Sequence, residues 1–202
     1  IRVMHNVCRH RAGPIAQCDG LAAKSLRCRY HGWTYTLEGQ LRSAPEMKGA
    51  QDFDVADVQL PQLAVKVWQG LVFAAFDAAN APDFDAFVAG IDARLGADRG
   101  LDAYGDHHRT SYDIACNWKV YIDNYLEGYH VPHVHPGLSK VLDYRAYDTE
   151  LFPWYSLQSS PLRDSGGAYG EGEAFYYHVY PNVMLNIMPG RLQTNLCTLT
   201  NP

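Results

Sequence analysis

Two short segments bearing cysteine and histidine constrain this chain more than anything else in it. Cys8-Arg9-His10 and Cys28-Arg29-Tyr30-His31 give Cys-x-His, a gap of seventeen residues, then Cys-x-x-His. Two thiolates and two imidazoles delivered by a pair of short loops can hold metal at the tip of a small β unit. The competing occupant is structural zinc, which also accepts two Cys and two His, although its ligand pairs usually carry other spacings.

The remaining composition is that of an ordinary globular chain. Its 202 residues allow one large domain or two small ones, and 47% hydrophobic against 19% charged residues is enough to bury a core. The net charge of −5, with no basic run, gives no reason to expect nucleic acid or an anionic membrane surface as partner. No apolar stretch approaches the roughly 18 residues of a membrane helix. Five cysteines (Cys8, Cys18, Cys28, Cys116, Cys197) are an odd count at scattered spacing. That disfavours a disulfide scaffold and fits a reducing compartment, so a cytoplasmic location is expected. Cys18 lies in the gap at no ligand spacing and reads as a small buried residue. Both ends read as cut: Ile1-Arg2-Val3 lacks an initiator Met, and Asn201-Pro202 follows directly on an apparent strand.

Up to about residue 77 the pattern is one of short strands and turns. Trp33 and Tyr35 alternate, Glu38-Gly39 turns, Val65 and Val67 flank Lys66, and Gln69-Gly70 leads into the apolar run Leu71 to Phe76. A helix is expected next, started near Asn80 and Pro82, with Phe84, Phe87, Val88, Ile91 and Leu95 on its inner face and Gly96 at its end. A second helix is expected from about Asn117 to Tyr129, free of breakers until Gly128 and ended by Pro132 and Pro136. The Gly/Ser-rich stretch from Ser156 to Gly172 reads as a long loop. Ala174 to Tyr180, Val183 to Ile187 and Leu192 to Thr200 read as strands of a meander on which helices can pack.

Continued into His31-Gly32-Trp33-Thr34-Tyr35, the first pattern resembles the Rieske domain of the ring-hydroxylating and related oxygenases. The resemblance implies a [2Fe–2S] cluster, with Cys8 and Cys28 on one iron and His10 and His31 on the other. It differs from respiratory-chain Rieske proteins, which carry an extra Cys in each loop and a Ser where this chain has Trp33. Fewer hydrogen bonds to the cluster sulfurs then imply a lower potential, suited to a nicotinamide-fed reductase.

Asp123-Asn124-Tyr125-Leu126-Glu127-Gly128-Tyr129-His130-Val131-Pro132-His133-Val134-His135 carries the second signal. On one helix, Asp123, Glu127 and His130 would share a face, and three polar groups there are costly to bury without a partner such as a metal. A solvated face with chance histidines is the plain alternative. The segment is similar to the catalytic motif of the same oxygenases: a carboxylate, two residues, His, four residues, His. That similarity implies His130 and His135 as ligands of a mononuclear Fe(II) in a 2-His-1-carboxylate site. Glu127 is then the carboxylate between cluster and iron, and Asp123 a supporting acid. Many family members have Asp at the Glu127 position; Glu occurs in some oxygenases of quaternary ammonium compounds. His133 is the rival to His135. His107, His108 and His178 show no partner pattern. The third ligand, an Asp in the family, is expected beyond residue 202.

The implied fold class is α+β. Residues 1–77 would form a small all-β Rieske domain lacking its N-terminus. Residues 78–202 would form the N-terminal part of a catalytic mononuclear-iron domain, an antiparallel sheet with helices, lacking its C-terminus. The implied activity is O2-dependent hydroxylation of an aromatic ring or a C–H bond of a small organic substrate. Electrons would come from NAD(P)H through a reductase, directly or by way of a ferredoxin. The full-length protein would form a homotrimer in which His31 of one chain meets Glu127 of the next, with a beta subunit left open. Two other readings stand: a choline- or carnitine-type monooxygenase holding its substrate by cation–π contacts, and a Rieske ferredoxin-like carrier. The carrier leaves Glu127, His130 and His135 unexplained.

Overall fold

The computed structural model describes residues 1–21, 23–96, 100–105, 107–163 and 172–198. The chain divides into two compact units, Ile1–Asp98 and Arg99–Pro202. In the first, β1 (Leu26–Arg27), β2 (Thr34–Tyr35) and β3 (Leu41–Ser43) make a three-stranded antiparallel sheet in chain order. Its core is Cys8, Ile15, Cys28, Trp33, Tyr35, Leu41 and Leu60, so both motif cysteines belong to the packed interior.

β4 (Ala64–Trp68) and β5 (Leu71–Ala75) pair as a hairpin with Trp68 opposite Leu71. Gln69 and Gly70 both take positive φ, 50° and 78°, the twist that a two-residue hairpin turn needs. α1 (Phe84–Leu95) follows, with Phe87, Val88, Ile91 and Leu95 buried as their spacing predicts. Its cap is Asp83, one residue past Pro82, whose carboxylate accepts from the N–H groups of Asp85 and Ala86. Asn80 is instead held in the preceding turn, its amide donating to Asp77 at 2.6 Å. Trp68 Nε1 donates to Asp92 at 2.9 Å, and the rings of Phe73 and Phe84 lie 5.1 Å apart. These contacts group α1 with the hairpin, so the division falls after Asp98 where the sequence placed it after residue 77.

In the second unit a short 3-10 turn (Leu101–Ala103) precedes α2 (Trp118–Tyr125), α3 (Val131–Val134) and α4 (Pro136–Val141). β6 (Asp148–Leu151), β7 (Tyr155–Pro161), β8 (Glu173–Val179), β9 (Val183–Met188) and β10 (Arg191–Leu196) then form a five-stranded antiparallel meander. Register places Gln158 opposite Tyr176, Tyr176 opposite Asn186, and Asn186 opposite Gln193, a polar row across one face of the sheet. Tyr125 of α2 and Leu138 and Val141 of α4 pack on the cluster of Val131, Leu142, Leu162, Ala174 and Tyr176. The helices therefore cover the polar-row face.

Three sequence expectations change here. Ser156 to Pro161, expected in a loop, lies in β7, whose residues Tyr155 to Ser160 are all buried; small serines fill the tight space, and the Ser160 hydroxyl donates to the Asp143 carbonyl at 3.2 Å. Of the rest of that stretch, 164–171 lies outside the described residues. The last strand ends at Leu196 among the described residues, with 199–202 outside them. The helix expected to Tyr129 stops at Tyr125, with Leu126 as its C-cap. The Tyr125 carbonyl, which an extended helix would offer to the residue 129 N–H, accepts Gln158 Nε2 at 2.5 Å instead. Among the described residues no helix is long and apolar enough to cross a membrane.

Leu185 is fully buried, so Leu185→Ala is expected to destabilise folding by about 2–5 kcal/mol. Val67→Ala, at a side chain 53% exposed, is expected to change it by less than about 0.5 kcal/mol. Chemical denaturation of the two variants checks the contrast.

Candidate metal centres

The two Cys/His loops share one backbone scheme. Cys8 N–H donates to Gly13 O at 2.9 Å and Cys8 O accepts from Ala12 N–H at 3.0 Å; Cys28 N–H donates to Trp33 O at 2.9 Å and Cys28 O accepts from Gly32 N–H at 3.0 Å. The residue closing each turn has positive φ, Ala12 at 56° and Gly32 at 75°, the left-handed conformation that a tight reversal requires. Matching scaffolds thus present His two residues after the cysteine in one loop and three after it in the other.

The thiols are buried, Cys8 3% and Cys28 2% exposed, and neither forms a disulfide. The rings of His10 and His31 approach to 4.6 Å, edge to face, beside the thiols' loops. His10 stacks flat on Trp33 at 4.9 Å, while exposed His31 has Tyr30 over it at 3.9 Å. His10 Nδ1 is buried with no hydrogen-bond partner. Desolvation, then the neighbouring His31 and Arg11, lower the His10 pKa and favour the neutral ring that coordinates metal. An orphaned ring nitrogen beside two buried free thiols fits a bound cluster, because coordination satisfies what the protein leaves open. No group of three or more His, Cys, Asp or Glu among the described residues is arranged around a single ion. Two cysteines and two histidines are the donor set of a Rieske two-iron cluster.

Tyr35 is the residue that sequence reasoning underused. Fully buried, it accepts the Arg9 N–H at 3.0 Å and its hydroxyl lies 3.2 Å from Cys8 Sγ, to which it would donate with Cys8 as a metal-bound thiolate. Burial, followed by this bond, holds its phenol above the ordinary range and so protonated. One sulfur of the site therefore does receive a side-chain hydrogen bond. Cys18 is exposed, contrary to expectation; its segment lies outside the core cluster.

In the second unit, His130 caps α3 and His135 joins α3 to α4. Pro132 is the second residue of α3, in the first turn where its missing N–H is no loss, and does not interrupt a longer helix. The His130 and His135 rings lie 5.1 Å apart, whereas His133 turns to Tyr129 at 6.4 Å. Glu127 sits in the turn after α2: its Oε1 lies 2.5 Å from His130 Nδ1, and its Oε2 accepts the His130 N–H at 3.1 Å. Partial burial works to raise the Glu127 pKa, but these bonds and the His130 charge outweigh it and hold the group below the usual carboxylate range. With Nδ1 engaged, Nε2 of His130 is left for a metal, the arrangement in which a carboxylate orients a ligating imidazole. Because α2 ends early, Asp123 stays on the exposed surface of α2 and does not share a helix face with Glu127. His108 contacts Thr110 at 3.0 Å, and His178 is buried against the Pro181 carbonyl at 3.3 Å; neither joins the site. A cavity of about 210 Å³ opens beside α4, walled by Leu138, Tyr176, Asn186, Met188, Arg191 and Gln193.

Comparison with known proteins gives a separate match for each of the two stretches. Residues 1–63 match the Rieske [2Fe-2S] domain, and residues 101–198 match the ring hydroxylating alpha subunit catalytic domain. The chain is 37% identical to the chloroplastic choline monooxygenase of Arabidopsis thaliana, over 100% of this chain and 51% of that protein. It is 29% identical to the carnitine monooxygenase oxygenase subunit of Escherichia coli (strain K12), over 94% of this chain and 52% of that protein. The structure of a quaternary ammonium Rieske monooxygenase superposes with a TM-score of 0.82 at 28% identity, covering 96% of this chain and 54% of that one. The chain spans about half the length of the curated relatives it matches. With a Rieske domain followed by ring-hydroxylating catalytic sequence, it belongs to the family of Rieske oxygenase alpha subunits.

Proposed function

We propose that the protein to which this chain belongs is an O2-dependent monooxygenase that hydroxylates a C–H bond of a small quaternary ammonium substrate. The observation that carries the reading is the Glu127 carboxylate on His130 Nδ1, in a chain that also holds a complete Cys8, His10, Cys28, His31 set. An electron carrier needs only the second of these. The substrate class is supported by the choline and carnitine relatives and by glutamate at position 127.

Cys8, Cys28, His10 and His31 would hold the [2Fe–2S] cluster, and His130 and His135 the mononuclear iron. When bound, these groups supply single electrons and the activation of O2 for insertion of one atom into a C–H bond. The protein's own residues set the conditions. Buried thiols keep water from the sulfur side, and exposed His31 gives an edge that a donor or a neighbouring subunit can reach. Glu127, 44% exposed in its side chain, holds the His130 ring through Nδ1 and faces outward as well. That double exposure supports a homotrimer in which His31 of one subunit meets Glu127 of the next, with electrons arriving from NAD(P)H through a reductase, with or without a ferredoxin. Asp123, on the surface of α2, is a further acid for that contact.

The test uses the full-length protein with a reductase and a panel of choline, carnitine and simple aromatic substrates. His130→Ala is expected to abolish product while leaving the EPR signal of the reduced cluster intact. Glu127→Gln is expected to lower product formation by about 10- to 100-fold. Dihydroxylation of an aromatic ring with no turnover of quaternary ammonium compounds would overturn the substrate assignment; full activity in His130→Ala would overturn the site. Tyr35→Phe removes the donor to Cys8 Sγ, and the reduction potential is expected to fall by on the order of tens of millivolts in a spectroelectrochemical titration.

A further inference from the structure

Between Tyr125 and His130 the chain makes a turn outside any helix, in which Glu127 reaches both the Nδ1 and the backbone N–H of His130. Beyond these local bonds, the turn is tied down from the sheet beneath. Gln158, 1% exposed, lies on β7 with both ends of its amide engaged. Nε2 donates to the Tyr125 carbonyl at 2.5 Å, and Oε1 accepts the Tyr147 hydroxyl at 2.6 Å. A carbonyl only accepts, so the amide can face just one way, and Tyr147 must then be the donor. Burial, then the charge of Glu127, holds the Tyr147 phenol well above its ordinary range, so it keeps the proton that it donates.

Tyr147 does a second thing. Its ring lies against Gly128, where an added Cβ would stand 2.5 Å from Cε1 and 2.8 Å from the hydroxyl oxygen. Tyr125 is pinned again from its own side chain, its hydroxyl donating to Asn186 Oδ1 at 2.6 Å. The backbone is therefore held on both flanks of Glu127, at Tyr125 by Gln158 and at Gly128 by Tyr147, and these two holders are bonded to each other.

We propose that Gln158, acting with Tyr147, is the positioning residue that sets Glu127 on His130 and thereby fixes the imidazole for metal. The proposal rests on the reading of His130 as a metal ligand. Glutamine is required at this place because one side chain must donate and accept at once. Leucine of similar size does neither, and glutamate ionised there would set a negative oxygen against the Tyr125 carbonyl.

Cobalt(II) titration of the full-length protein, followed by its visible absorption, reads the site without turnover. Gln158→Leu is expected to weaken cobalt binding about 10-fold, with Glu127→Gln similar and the double variant no weaker than either single one. Tyr147→Phe, which keeps the ring on Gly128 but removes the donor, is expected to show a smaller loss. Thermal melting is run on each variant to confirm that it is folded. Unchanged cobalt affinity in a folded Gln158→Leu variant, or losses that simply add in the double variant, would overturn the proposal. Binding that survives in His130→Ala would instead overturn the metal-site reading on which it stands.

Discussion

A metal-binding side chain has to be held still and yet be reachable, and this chain meets both demands by fastening accessible ligands to buried residues. In the first unit the thiols of Cys8 and Cys28 are part of the apolar interior, where Trp33, Tyr35 and Leu41 immobilise them. The imidazoles lie further out, with His31 at the surface and His10 stacked on Trp33. Packing energy that any small β domain needs for its own stability also fixes the ligands. The catalytic half solves the same problem differently: there the ligand-bearing turns are exposed, and hydrogen bonds from a buried strand supply the rigidity.

That difference explains what could be read from the sequence. Residue type and spacing alone gave the first set, because backbone loops with matching hydrogen bonds need only local sequence, and the structure brings His10 and His31 together as the pattern implied. Strands β8 and β9 and the inner face of α1 were legible for the same reason, since alternation and helical spacing are local signals. β7 was not. Its serines and Gln158 look like loop chemistry, and only tertiary burial makes them strand residues. The error then propagated to the second set. With Gln158 taken for a loop residue, nothing in the sequence said that the Tyr125 carbonyl would be claimed from outside, and α2 was extended through Glu127. The motif's order needs no helix, and the structure sets Glu127 against His130 and the His130 ring beside that of His135; the expected shared helix face is absent, because it depends on a helix that stops at Tyr125.

The two halves also treat hydrogen bonding to ligands in complementary ways. Tyr35 is committed to Cys8 by its two contacts and by burial, so its influence on the sulfur is permanent. Glu127 is partly open to solvent, and its hold on His130 is exposed to whatever docks nearby. A fixed setting at the electron store and an adjustable one at the proposed reaction site fit a protein in which the timing of electron arrival matters.

The polar row on the sheet has a consequence for how this fold can vary. Side chains on a strand alternate between faces, so Leu157 and Gln158 point to opposite sides. The link from β6 to β7, Phe152-Pro153-Trp154, sets which of them meets the helices. Adding or deleting a single residue there would present leucine to the Tyr125 carbonyl and send the amide into the apolar layer. The length of a three-residue connection far along the chain from Glu127 is thus counted in odd and even steps, and its parity decides whether an amide or a leucine meets the turn that carries Glu127.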